Sequence, residues 1–223
     1  MKPARAKSPK RFRGGLFITF EGIDGCGKST QVRLASAYLK KLGYGPLTLR
    51  EPGSAPVSEK IRRILLNRGL SIDPYPELFL YLAARGQLVS EVIAPALRDG
   101  RIILCDRFHD STVAYQGYGR RLDLKLIEQM RRRAVGAVTP DLTFIFDIDL
   151  KTSLTRRKRR ADRLERESEL FFKRVRSGFR RIARKNPRRG RLIDARPDTA
   201  TVFECVKREL DLQLKSRKRR APL

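Results

Sequence analysis

The chain has 223 residues, with 51 Lys and Arg against 24 Asp and Glu, for a net charge of +27. Its 40% hydrophobic content is enough to bury a full core and excludes a wholly disordered polypeptide. No apolar run approaches the roughly 20 residues that a membrane-spanning helix needs, and three scattered cysteines exclude a disulfide scaffold or a CxxC zinc site and fit a reducing, cytoplasmic setting.

In chain order, residues 1–15 read as a disordered basic tail. Residues 16–20 form an apolar run that predicts a buried strand. Glycines follow, then a helix over 28–42 stopped by Gly43 and Gly45. A second strand is expected at 47–49, broken by Glu51-Pro52-Gly53, and a helix at 57–66. The pattern over 77–97 is helical, and 102–105 is a buried strand ending at Asp106-Arg107. A helix over 122–133 and a strand over 142–146 precede a long Arg-rich helical stretch from 152 to about 185, with an interruption. A short strand at 191–193, a closing helix at 201–214 and a basic tail at 215–223 complete the chain. Strands alternating with helices predict one α/β domain over 16–214, a central parallel sheet with helices on both faces. Ligands of such sheets bind at the carboxyl ends of the strands. Glu21-Gly22, Glu51-Pro52, Asp106-Arg107 and Asp147 all fall there.

Gly22-Ile23-Asp24-Gly25-Cys26-Gly27-Lys28-Ser29-Thr30 stands between the first strand and the first helix. This is the spacing of a P-loop, and the fold class is that of a P-loop NTPase. The glycines let backbone N–H groups turn inward on phosphate oxygens, and the helix start adds its positive end. Lys28 is placed to reach the β- and γ-phosphates, and the Ser29 hydroxyl to ligate Mg²⁺. Asp106, closing a buried strand, is the expected second metal-side group. His109 is the only histidine, which excludes a Ser-His-Asp hydrolase and a His-rich metal site. Phosphoryl transfer needs neither; it needs Mg²⁺, positive charge and two substrates held in line.

Further spaced motifs narrow the reading: Phe20 to Gln31, Arg50-Glu-Pro-Gly53, Ala83-Ala-Arg-Gly-Gln87, Asp106 to Arg120, Pro140 to Asp147 and Asp162-Arg-Leu-Glu165. Together they resemble the thymidylate kinases across about residues 16–214. The resemblance implies transfer of a phosphoryl group from ATP to dTMP with Mg²⁺, and a homodimer. It implies that Arg107 grips the dTMP phosphate, Arg85 bonds a thymine carbonyl, and Tyr81 stacks on the base. Ser111 and Gln116 would help hold the nucleotide, Tyr115 would crowd a 2′-hydroxyl, and Asp24 would bond the sugar 3′-hydroxyl. Some members of that family carry an arginine where this chain has Gly25. The others use a small helical lid, which here would span about 151–165 and supply Arg157, Arg159 or Arg160. The chain departs from the pattern at Ser54, which stands for a second glycine, and at Gly86, inside a predicted helix.

The competing readings are another nucleotide kinase, or a P-loop protein that binds nucleic acid. More than half of the Lys and Arg lie after residue 150, and such charge attracts anionic partners. No interleaving of aromatic and basic residues supports RNA binding there, so most of that charge reads as solvated helix faces.

Overall fold

The computed structural model describes residues 9–156 and 162–219. Five strands, β1 (Leu16–Glu21), β2 (Leu47–Arg50), β3 (Ile102–Asp106), β4 (Leu142–Asp147) and β5 (Gly190–Asp194), form one sheet. All are parallel, in the order β2-β3-β1-β4-β5. The helices are α1 (Lys28–Lys41), α2 (Pro56–Leu66), α3 (Pro74–Leu88), α4 (Ala94–Arg98), α5 (His109–Thr112), α6 (Leu124–Val135), α7 (Leu150–Thr155), α8 (Glu169–Lys185) and α9 (Thr199–Arg219).

β1 is buried along its whole length, and its side chains alternate between the two faces. Leu16, Ile18 and Phe20 point into a core shared with α1, α8 and α9. Phe17 points the other way, into a core with Leu88, Ile93 and Val135. A central strand covered on both faces must be apolar at every position, which is why residues 16–20 read as an unbroken run. The end that is not apolar, Glu21, is where the site begins.

The predicted strands and helices are present, with three differences. Residues 9–15 are not a loose tail: Phe12 is buried and stacks on Tyr44 at 5.4 Å, and its N–H donates to the Gly100 carbonyl at 2.8 Å. Two of the cations help pin the segment, Lys10 donating to the Leu42 carbonyl at 2.8 Å and Arg11 to the Asp99 carbonyl at 2.9 Å. At the other end, α9 runs on past Leu214, and Arg217 pairs with Asp141. Third, the sequence pattern assigned no element to 109–119, yet α5 and a π-helical turn, Val113–Gly119, fill it. Glycines at 117 and 119 hid that helix, because a periodicity reading treats them as breakers. A π-helical turn at Val89–Ile93 likewise joins α3 to α4. Gly86 has a packing reason: a Cβ there would lie 3.0 Å from the Ala134 carbonyl of α6.

Among the described residues no helix is long and apolar enough to cross a membrane.

Candidate active site

The loop after β1 arches over the start of α1. Lys28 is buried, and its Nζ donates back to the carbonyls of Gly22 at 3.1 Å and Ile23 at 2.9 Å. Those two bonds hold the ammonium inside the loop, where it is ready to exchange a carbonyl for a phosphate oxygen. Ile23 and Cys26 turn their side chains into the core, so only their backbone faces a ligand. Burial raises the Cys26 thiol pKa, against the opposing charge of Lys28. Thr30 lies on the rim of the open cleft beside Lys28 and Ser29.

Gly25 carries φ +84°, and a Cβ on it would meet the Ser153 carbonyl oxygen at 2.4 Å. Ser153, at the start of the lid region, also donates its hydroxyl to the Asp24 carbonyl at 2.5 Å. The loop is thus clamped to α7 at the one position where other members of the resembled family carry arginine. Both terms oppose any side chain at 25. We expect Gly25→Ala to lower the melting temperature and to weaken ATP binding about tenfold or more, at a cost of about 1–3 kcal/mol; calorimetry with ATP checks this.

Ser29 Oγ donates to Asp106 Oδ2 at 2.5 Å. A hydroxyl and a carboxylate side by side next to the P-loop form a hard-oxygen pair of the type that holds Mg²⁺ through few protein ligands, the remainder coming from phosphates and water. Among the described residues no group of three or more His, Cys, Asp or Glu comes together.

One step past β3 the chain turns back, and Arg107 takes φ +71°. Its guanidinium donates to the Gly22 carbonyl at 2.7 Å and to Asp24 at 2.8 Å. Burial opposes the Arg107 charge, but Asp24 and its neighbours outweigh it and raise the pKa well above the usual value. Glu21 fastens this turn, accepting from the Phe108 N–H at 2.7 Å and the Ser111 hydroxyl at 2.6 Å. Burial, then the charge of Asp110, lifts the Glu21 pKa to about 8.

A second cleft opens beside the first. Asp24, Tyr81, Arg85, Arg107, Ser111, Tyr115 and Gln116, all expected at a nucleotide, line it together. Glu77, Tyr81 and Arg85 recur every four residues and so share one face of α3. Arg85 is fully buried and makes its shortest bond, 2.6 Å, to Glu51. Its other nitrogens reach Thr112 Oγ1 at 2.8 Å, the Phe108 carbonyl at 3.3 Å and His109 Nδ1 at 3.4 Å. Burial raises the Glu51 pKa against the pull of Arg85. Burial and the Arg85 charge push His109 well below its ordinary value, so it stays neutral. Tyr115 is a buried wall with the Arg107 guanidinium 5.3 Å from its ring centre.

Asp24, Glu51, Arg62 and Arg107 line both clefts and mark where they meet. Ser111 sits at that junction, on Glu21 and Arg107, whereas Thr112 sits beside Arg85 at the far end. Sequence reasoning missed Thr112, whose place one residue along a helix turned it to the other group. It also missed Arg62, which donates to the Pro52 carbonyl at 2.8 Å. Burial and the Arg50 charge lower the Arg62 pKa. In the sequence, Arg62-Arg63 looks like any solvated pair; only the path of α2 singles out the first. Arg157, Arg159 and Arg160 lie outside the described residues.

The arrangement can hold two phosphate-bearing ligands end to end, with Lys28, Arg62 and Arg107 around the meeting point. Known proteins match this geometry. The family model described as thymidylate kinase matches residues 20–206. A thymidylate kinase of Pelotomaculum thermopropionicum is 49% identical over 185 residues, covering 81% of this chain and 86% of the relative. One from Geobacter sulfurreducens is 48% identical over 201 residues, covering 86% and 94%. The crystal structure of thymidylate kinase from Ehrlichia chaffeensis superposes with a TM-score of 0.75 at 37% identity, over 88% of this chain and 99% of that one. The family model spans most of the chain, and relatives close to half identical are covered over most of their length; on that ground the chain belongs to the thymidylate kinase family.

Proposed function

We propose that the protein transfers the γ-phosphoryl group of ATP to dTMP, giving ADP and dTDP. The observation that carries this is the junction at Asp24, Arg62 and Arg107, where a cleft beside the P-loop opens into a cleft walled by Tyr81, Arg85 and Tyr115. In this reading the P-loop N–H groups and Lys28 hold the donor phosphates. Arg107 exchanges its Asp24 or Gly22 partner for the acceptor phosphate, and Arg62 adds a second positive group. Tyr81 stacks on the base and Arg85 donates to a base carbonyl, its orientation locked by Glu51. Tyr115 blocks a 2′-hydroxyl by sterics, which favours deoxyribose. Asp24 is shared between Arg107 and the acceptor sugar. The Ser29–Asp106 oxygen pair would hold Mg²⁺, which when bound neutralises phosphate charge.

The rest of the positive charge comes from one or two of the lid arginines Arg157, Arg159 and Arg160. With Gly25 barred from carrying a side chain, the loop itself cannot supply it. Replacing all three with Ala should cut kcat by about 10³-fold, read by coupled ADP release; unchanged turnover would remove the lid from the mechanism. A homodimer is part of the same proposal, and the exposed Tyr75 and Phe79 of α3 are apolar surface suited to a second copy. Three free thiols fit a cytoplasmic setting.

The experiment is ADP release with ATP, Mg²⁺ and a panel of dTMP, dUMP, dGMP and thymidine. The expected order places dTMP first by kcat/KM. Preference for dGMP or for thymidine would assign the second cleft to another acceptor.

A further inference from the structure

The Asp162-Arg163-Leu164-Glu165 motif has no role in the reading so far, and neither does Glu77. Glu77 is completely buried in the first turn of α3. A carboxylate in that position needs partners, and it has three, two from the π-helical turn Val113–Gly119 and its end and one from the 162–167 segment. Gln116 Nε2 donates to Oε1 at 2.7 Å, and Arg120 donates to both oxygens at 3.2 and 3.1 Å. Arg163 brings Nη2 to within 2.6 Å of Oε2, an ion pair off the hydrogen-bond line.

Arg163 is itself nearly buried and also donates from Nε to the Leu65 carbonyl at the end of α2, at 2.9 Å. Around it, Asp162 and Glu165 brace each other reciprocally: the Asp162 N–H donates to Glu165 at 2.9 Å, and the Glu165 N–H donates to Asp162 at 3.0 Å. Arg120 extends the network to Glu167 at 2.6 Å. The segment 162–167 is therefore a rigid block, fastened through Arg163 and Arg120 to one buried charge. The same charge holds Gln116, and four residues along its own helix stands Tyr81. Tyr81, Gln116 and Asp162 all line the acceptor cleft.

We infer that Glu77 is a positioning residue that locks the 162–167 block to the base-facing wall, so that the acceptor cleft has one shape only when the Glu77–Arg163 pair is intact. This rests on the phosphoryl-transfer reading above. Neither residue touches a reacting atom; both act through Asp162, Gln116 and Tyr81. Loss of the pair should therefore act on the acceptor side and spare the donor side.

The test uses the full chain with Glu77→Gln, Arg163→Met and the double variant. kcat and both KM values are measured per folded enzyme, with melting temperatures alongside. For Arg163→Met we expect kcat/KM for dTMP to fall about tenfold or more, because small misplacements in a cleft cost that much, and KM for ATP to stay within about threefold. The double variant should be little worse than Glu77→Gln alone, since the two act as one unit. Arg163→Met leaves Glu77 with Arg120 and Gln116, so it keeps the test alive if Glu77→Gln fails to fold. Wild-type constants in Arg163→Met, equal losses for ATP and dTMP, or additive losses in the double variant would each overturn the inference while leaving the function standing. A wild type that transfers nothing to dTMP overturns both.

Discussion

Lys28→Ala should lower kcat by about 10³-fold, because a buried cation aimed at transferring charge is worth that much in a site shielded from water. The fold should survive, since Lys28 gives up only bonds within its own loop, to the Gly22 and Ile23 carbonyls and the Cys26 sulfur. Binding of dTMP alone should change less than about threefold, since Lys28 does not line the second cleft. Lys28→Arg should not rescue: Lys is buried to 5% exposure, and a wider, planar guanidinium cannot take the place of a point charge there. Steady-state kinetics with calorimetry for dTMP checks all three. A loss of dTMP binding equal to the loss in kcat would mean that the loop had collapsed and that its charge was not the cause.

Arg85→Met should be the most costly single change for stability. It strands Glu51, which is as buried as Arg85 itself, and breaking a buried pair from one side costs about 3–5 kcal/mol. For a domain of this size that is a fall of about 10 °C in melting temperature. It should also raise KM for dTMP by about 10²-fold, through loss of a planar donor to the base and of the bond that orients Thr112. Arg85→Met/Glu51→Gln separates the two effects. Removing the stranded charge should restore part of the stability and none of the dTMP affinity. If the double variant recovers both, Arg85 serves the fold and not the base.

The site was legible in the sequence to the extent that its chemistry is local. The P-loop needs its glycines, lysine and serine within nine residues, and the buried β1 and β3 point to Glu21 and Asp106 by ending on them. Tyr81 and Arg85 were expected only through the resemblance to the thymidylate kinases; taken alone they read as a core helix residue and a surface ion pair. Arg62 and Thr112 were not legible, because nothing along the chain distinguishes them from their neighbours Arg63 and Ser111. Their roles come from where α2 and α5 cross the cleft. Glu77 was hidden for the same reason: its partners lie 39, 43 and 86 residues away and converge only in the fold. Residues 9–15 misled in the other direction, since composition weighs three cations and cannot weigh one Phe12 against Tyr44. Gly25 was read as a gap in charge; the Ser153 carbonyl shows it also as a position closed by sterics.

The central claim is that two adjoining clefts pass a phosphoryl group directly from donor to acceptor. The most direct measurement follows the label from γ-³²P-ATP with purified protein, Mg²⁺ and dTMP. The account predicts that label appears in dTDP in step with ADP, and that little is released as free phosphate. Label released mainly as inorganic phosphate, whether or not dTMP is present, would contradict it.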